Sequence, residues 1–275
     1  PETGRSALDA VELMNTGAQY LREHMTSDCR VHYAIIDAGG VSPNVVQSEA
    51  SVLYLVRANK VRDSIALLKR VDKIAQGAAL MTETSFDRQF IDGTAELVPN
   101  YTLEKLLYRI FNEVGLPEYT DGERQLAEAL RRTYELHVAP GIAAGFDADI
   151  AADVAERTNG LQDALCGFIM PEYHSAGFVA GSTDVGDVSW QTPAAQVHCV
   201  TFPFGAAGHS WQNVSCGGTS LGHKGLINAA KIIACAAIEL MNDPETLQKA
   251  RDEFARRTRS GYVCPIEPDA VPTAI

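Results

Sequence analysis

The sequence predicts a mixed α/β (α+β) protein of two domains, with the boundary between residues 98 and 99. Three observations predict it. Residues 1–98 carry helix and strand patterns in the order α-β-β-α-β. From residue 101 onward, helical periods dominate and the strand patterns are short and separated by glycines. A length of 275 residues gives room for two cores.

The elements follow in order. Residues 6–25 place Leu8, Val11, Met14, Ala18 and Leu21 on one face, Leu13 widens the stripe, and Ser6 is the expected N-cap. Residues 30–38 read as a strand stopped by Gly39-Gly40, Pro43-Asn44 as a turn, and residues 50–58 as a second strand. A helix over 61–81 carries Ile65, Leu68, Val71, Ile74 and Ala78 on one side. Residues 86–97 alternate as a third strand would. A split sandwich runs β-α-β-β-α-β, so this first domain lacks one strand, at its N-terminal end. The chain also opens on Pro1 rather than Met, and the expectation is of a piece of a longer protein.

In the second domain, helices are expected over 103–114, 122–136 and 146–157. Short strands are expected over 176–180 and 196–203. An Ala- and Ile-rich helix follows over 226–241, and a charged one over 244–258 begins at Asn242-Asp243-Pro244. The tail from Cys264, with three prolines, reads as irregular.

Hydrophobic residues make up 46% and charged residues 21%, as in ordinary globular proteins. A net charge of −12 argues against a nucleic-acid surface, which needs clustered Lys and Arg. No signal peptide and no apolar run long enough to span a bilayer is evident. Six scattered cysteines without a CxxC read as reduced, mostly buried thiols in a cytoplasmic protein.

The unusual polar chemistry collects between Gly181 and Gly225. Three of the seven histidines lie there with Asp184 and Asp187, and glycines interrupt every part. Imidazoles and carboxylates on glycine-bent loops suit a hydrolytic metal centre, although the stretch holds too few ligands for a whole one. Each residue also has a plainer reading. His209, between Gly208 and Ser210, reads as a ligand or as a solvated loop histidine. His198 sits inside the 196–203 strand, where the plain reading is a hydrogen-bonded core histidine. His223 and Lys224 open a helix, where a cation opposes the helix dipole and needs some other reason to be there. Asp184 reads evenly as a turn former beside Gly186 and as a side chain pointing into a site at a sheet's carboxyl end. Gly218-Thr219-Ser220-Leu221-Gly222 matches the GxSxG nucleophile elbow. The only later histidine is three residues on, so a serine hydrolase is rejected. In the first domain, Arg57 ends an apolar strand and Asn44 follows a turn proline. A guanidinium with an amide beside it could clamp a carboxylate, and a surface Arg at a strand end is the plain alternative.

Taken together, these runs resemble one family. Gly4-Arg5-Ser6-Ala7-Leu8-Asp9-Ala10-Val11, Gly39-Gly40 with Pro43-Asn44-Val45-Val46, and Tyr54-Leu55-Val56-Arg57 are similar to the lid domain of dimetal amidohydrolases of the aminoacylase and carboxypeptidase-G type. Gly181-Ser182-Thr183-Asp184-Val185-Gly186-Asp187, Gly208-His209-Ser210 and Gly222-His223-Lys224-Gly225 resemble the later half of that family's catalytic domain. The resemblance implies a lid and dimerisation domain over 1–98, ferredoxin-like but without its first strand. It implies the C-terminal half of the catalytic domain over 99–275.

By the same resemblance, His209 is a late metal ligand, Asn44 and Arg57 bind the substrate's carboxylate, and Asp184, His198 and His223 lie near the site. The other metal ligands and the acidic general base belong to the half that this sequence does not match, so no catalytic residue is expected in this chain. The implied chemistry is amide hydrolysis of small N-acyl amino acids, p-aminobenzoyl-glutamate among them, with two zinc or manganese ions. A homodimer through the lid, and a second subunit in a hetero-oligomer, are the implied partners. A non-catalytic dimerisation or interaction module of the same fold is the alternative.

Overall fold

A computed structural model describes residues 2–136, 148–174 and 181–271. The chain divides into two compact units. One holds the residues up to Leu97, Ser182–Asp187 and those from Gly261 onward, and the other holds Val98–Gly181 and Val188–Ser260.

In the first unit, Ser6 accepts from the Asp9 N–H and starts α1 (Ala7–Arg22), as its sequence position predicts. Val11, Asn15, Ala18 and Leu21 form its buried stripe. β1 (Arg30–Asp37) and β2 (Ser51–Arg57) pair antiparallel, with Val31 opposite Val56, Tyr33 opposite Tyr54 and Ile35 opposite Val52; of the β1 residues only Val31 is buried. α2 (Val61–Thr82) packs beside α1 so closely that a Cβ on Gly17 would sit 2.6 Å from Ile74. Leu21, Cys29, Val31, Leu67 and Val71 form the core, with Met14, Tyr54 and Ile74 around it. Tyr54 donates its hydroxyl to Asn15 Oδ1 at 2.7 Å, which satisfies a buried amide.

The expected third strand over 86–97 does not form. The sheet among the described residues has two strands. Alternation alone does not make a strand; a ladder partner does. Here the Ala95 N–H donates to the Asp187 carboxylate at 3.0 Å instead of to a neighbouring strand. Gly186 lies so close that a Cβ would stand 2.0 Å from the Ala95 carbonyl oxygen.

The second unit contains α3 (Tyr101–Val114), α4 (Asp121–Arg131), α5 (Ala148–Arg157), α7 (Trp211–Cys216), α8 (Ser220–Asn242) and α9 (Pro244–Arg257). The five-residue α6 (Val185–Ser189) falls where the chain passes from one unit to the other. α4 opens with a full capping box, Thr120 and Glu123, and stops at Arg131, earlier than the expected 136. The Thr133 hydroxyl takes the Leu130 carbonyl that a further turn would have used. Leu106, Ile110, Ile232 and Ala236 hold α3 against α8, and Ala127, Leu130, Leu165, Cys216 and Leu221 form a second cluster.

Two further expectations are corrected here. Residues 196–203 are not a strand among the described residues. Val197 and Cys199 pack on the α3–α8 cluster while Val200 and Phe202 pack on the other, so the alternation serves two cores without a ladder. α8 begins at Ser220, six residues before the expected start. Its glycines mark close packing rather than a loop: a Cβ on Gly222 would lie 2.5 Å from the Cys216 oxygen, and one on Gly225 would lie 2.1 Å from the Val200 oxygen. Gly225→Ala is therefore expected to destabilise this unit by about 2 kcal/mol through backbone displacement. Both tryptophans, Trp190 and Trp211, lie in this unit, so their fluorescence during urea unfolding measures the change.

By length and composition α8 is also apolar enough to cross a membrane, contrary to the expectation from the sequence. The strand expected over 176–180 lies outside the described residues. Of the cysteines, Cys29 and Cys216 are buried, Cys166 and Cys199 half-buried, and Cys235 and Cys264 exposed; all are free. The thiols are thus less uniformly buried than expected.

Candidate functional site

The loop that carries His209 is shaped by backbone geometry. Gly205 has φ +82°, and a Cβ there would strike Leu136 at 2.2 Å. His209 itself has φ +60°, a left-handed conformation that costs a non-glycine residue about 1 kcal/mol or more. Ser210 then caps α7, accepting from the Asn213 N–H at 3.3 Å and donating to the Ala207 oxygen at 2.7 Å. The imidazole is presented to solvent from between a glycine turn and a helix cap.

His198 and His223 are also exposed, so the core reading of His198 does not hold. His223 stands on the first turn of α8, its N–H bonded to the Thr219 oxygen. Lys224 has the separate reason that its position demanded. Its ammonium donates to Glu123 Oε2 and to the Glu118 carbonyl oxygen, both at 2.7 Å. Glu123 is only 5% exposed. Donation from Lys224 first, then from Ser220 and the Thr120 N–H, holds its carboxyl down at about 2. Ser220, the would-be nucleophile of the GxSxG pattern, is thus a helix-start residue bonded to a carboxylate. Beside this pair, His223, Lys224, Asn228 and Lys231 rim a cavity of about 340 Å³ whose apolar wall includes Leu116 and Pro117.

In the first unit the structure brings Arg57 to the Gly181–Asp187 stretch. Arg57 Nη2 donates to Ser182 Oγ at 2.7 Å. Asp184 is exposed, with the Thr183 hydroxyl 3.3 Å from its Oδ1. The firmly bound carboxylate is Asp187, which accepts from the Ala95 N–H and, at 2.7 Å, from the Tyr262 hydroxyl.

Asn44 is not beside Arg57. Arg57 pairs with Arg30 at one end of the ribbon, while Asn44 lies in the loop that joins Asp37 to Ser51 at the other. The six residues of β2 before Arg57 separate it from that loop, a span of about 20 Å at the strand rise. Gln47 is tied to the start of α1 by the Ala7 N–H and the Ser6 hydroxyl, and this holds the loop at its own end. The ribbon thus places Arg57 and the Asn44 loop toward opposite ends.

Sequence reasoning missed the best-bonded polar groups. Glu253, 6% exposed, accepts from the Tyr101 N–H, the Thr102 N–H and hydroxyl, and Arg257 Nε, all within 3.0 Å. His174 lies between Glu104 (3.0 Å) and Glu172 (3.1 Å) and stacks on Tyr101 at 3.7 Å. Burial pushes the Glu104 carboxyl up, and His174 opposes the shift. Of the missed groups, only the Thr120-x-x-Glu123 capping box has a legible sequence signal.

Among the described residues, no three His, Cys, Asp or Glu side chains converge as a metal cage would require. His209 can supply one coordinating nitrogen, and the described residues do not complete a site around it.

No family model matches the chain. Over its whole length it is 40% identical to one of the subunits of p-aminobenzoyl-glutamate hydrolase from Escherichia coli (strain K12). The chain is a relative of this hydrolase. It is also 26% identical to Xaa-Arg dipeptidase of Mus musculus and 25% identical to that of Homo sapiens, each over 92% of the chain. It spans 58% of the length of the bacterial hydrolase polypeptide and 47% and 46% of the two dipeptidases, which fits the expected match to only part of the family's architecture. All three relatives are named as enzymes that act on small amide or peptide substrates.

Proposed function

We propose that the chain is part of a metal-dependent amidohydrolase that cleaves N-acyl amino acids, p-aminobenzoyl-glutamate first among them, to release p-aminobenzoate and glutamate. The 40% identity that runs the full length of the chain carries this reading. Residues 1–98 act as the lid and dimerisation domain, and residues 99–275 as the later half of the catalytic domain.

His209 contributes one metal-binding nitrogen, and its left-handed backbone is the kind of local strain that collects at functional positions. Arg57 holds the substrate carboxylate, oriented by Ser182. Asn44, at the far end of the ribbon, binds a different part of the assembly's ligand, and Asp184, His198 and His223 flank the site. Two zinc or manganese ions, when bound, supply the Lewis acid for amide cleavage. The outward face of the β1–β2 ribbon, with Ile36 at 58% and Leu55 at 55% exposed, supports a homodimer through the lid. A second subunit completes the enzyme in the cytoplasm.

The test is p-aminobenzoate release, followed by chromatography, with Zn²⁺ or Mn²⁺ added. The chain co-expressed with polypeptide matching the rest of the bacterial hydrolase is expected to turn over, and the 275-residue chain alone is not. Robust turnover by the chain alone would refute the incomplete site. A complex that binds no metal and releases no product would leave a non-catalytic module instead.

A further inference from the structure

Arg57 and Ser182 lie 125 positions apart in the sequence, yet the guanidinium donates to the hydroxyl at 2.7 Å. Both ends of that bond are held. At the Arg57 end, β2 stops and α2 begins at Val61. The N-cap of α2 is Lys60, whose side chain has no oxygen to offer a free N–H and makes no capping bond. Glu96 caps the helix instead, from 35 positions away. Its Oε2 accepts from the Val61 N–H at 3.0 Å, and its Oε1 stands 3.4 Å from the Lys60 ammonium.

At the Ser182 end, the Gly186 N–H donates to the Thr183 oxygen at 3.1 Å and closes a turn. Gly186 lies backbone to backbone on Ala95, the residue before Glu96. Asp187 secures that contact. Its Oδ2 accepts from the Ala95 N–H at 3.0 Å and its Oδ1 from the Tyr262 hydroxyl at 2.7 Å, so the carboxylate is fixed in both position and plane. Donation to Asp187 pushes the Tyr262 phenol up, which keeps its hydroxyl protonated as a donor. These ties close a ring. It runs from Arg57 along the chain to Val61, across to Glu96 and Ala95, across again to Asp187, and back through Ser182 to Arg57. Every member belongs to the first unit.

We infer that Asp187 is a positioning residue for Arg57: through Ala95 and Tyr262 it fixes the loop whose Ser182 hydroxyl aims the guanidinium at a substrate carboxylate. The inference rests on the carboxylate-binding role proposed for Arg57. A hydroxyl suits this role because it directs a guanidinium without cancelling its charge. An arginine left to its own rotamers would have to be ordered by each incoming substrate. That ordering cost weakens binding rather than slowing the chemistry.

Two measurements test this. The first uses the 275-residue chain alone, with phenylglyoxal labelling of Arg57 read by mass spectrometry. Asp187→Ala and Ser182→Ala should each speed that labelling by about five-fold, the holding power of one hydrogen bond. Tyr262→Phe, which keeps the ring, should speed it less and carries the test if circular dichroism shows Asp187→Ala unfolded. The second uses the chain assembled with polypeptide matching the rest of the bacterial hydrolase. There Asp187→Ala should raise KM for p-aminobenzoyl-glutamate by about ten-fold and leave kcat within about two-fold. The KM penalty should vanish when Arg57 is already replaced by Ala, because Asp187 acts through it. A merely structural role would instead lower kcat or add its full penalty in the Arg57→Ala background. Labelling of Arg57 that ignores both Asp187→Ala and Tyr262→Phe would overturn the inference, and so would KM penalties that add. A raised KM in Arg57→Ala with none in Asp187→Ala would also overturn it, and would leave the proposed function in place. Faster labelling together with an unchanged KM in Arg57→Ala would sink the carboxylate role of Arg57 and leave the hold of Asp187 on its guanidinium standing.

Discussion

His209→Ala in the assembled enzyme is expected to lower kcat/KM for p-aminobenzoyl-glutamate by about 10³-fold or more, with loss of bound metal. The magnitude follows from removing one ligand of an ion that contributes several kcal/mol to the transition state, at 1.36 kcal/mol per factor of ten. A structural role for the side chain would predict the opposite pattern, since the imidazole is exposed and makes no burial contribution to replace. The backbone sharpens the test. At φ +60° a glycine relieves the left-handed strain while adding chain entropy to the unfolded state, so the two effects nearly cancel. His209→Gly should therefore change urea stability by less than about 1 kcal/mol and still lose activity and metal. Full metal content in both variants, measured by elemental analysis, would remove His209 from the site.

Glu253→Ala should cost the second unit about 2 to 3 kcal/mol, because it strands two helix-end N–H donors and leaves the half-buried Arg257 guanidinium without its partner. Asn100, 1% exposed, caps α3 at Leu103 and donates to the Ala250 oxygen, and Glu253 takes the next two free N–H groups of the same helix end. Arg257, which Glu253 orients, stands 4.1 Å from the centroid of the Tyr101 ring, and His174 stacks on that same ring. Glu253→Gln should cost about half as much, since an amide oxygen still accepts one of these bonds but carries no charge.

The pH dependence has a definite sign. Burial pushes the Glu253 carboxyl up, but donation from Thr102, Tyr101 and Arg257 outweighs it and holds the group at about 2. Glu123 is held at about 2 as well. A carboxylate depressed in the folded state contributes stability that is present above its unfolded value and lost as pH falls through its folded one. The second unit should thus lose stability from about pH 4.5 down to about 2, and Glu253→Gln should flatten that decline. An unchanged slope in tryptophan-monitored unfolding would show that Glu253 is not held in this way.

What was legible in the sequence was whatever local chemistry decides. Ser6 and Asp243 cap helices where their sequence positions predicted a start, because a short oxygen-bearing side chain answers free N–H groups a few atoms away; Asn100, Thr120 and Thr219 cap by the same chemistry but became evident only in the structure. The apolar runs at 30–38, stopped by Gly39-Gly40, and at 50–58 marked β1 and β2, and the GxSxG run could be dismissed on histidine order alone. The glycine–histidine runs were enough to point to the hydrolase relatives.

Partners distant in sequence decided the rest. Residues 86–97 and 196–203 alternate like strands, yet a ladder requires a neighbour, and Asp187 and two separate cores took their groups instead. Gly222 and Gly225 looked like loop residues until the Cys216 and Val200 carbonyls filled the space where a Cβ would go. Separations of 101 positions from Glu123 to Lys224 and of 125 from Arg57 to Ser182 hide pairings that no local pattern encodes. The antiparallel register parted Asn44 from Arg57, though the two are near in sequence. Short-range hydrogen bonding and side-chain periodicity act within a few residues and can be read along the chain; close approach, burial and charge pairing depend on which surfaces meet, and only the folded chain fixes that.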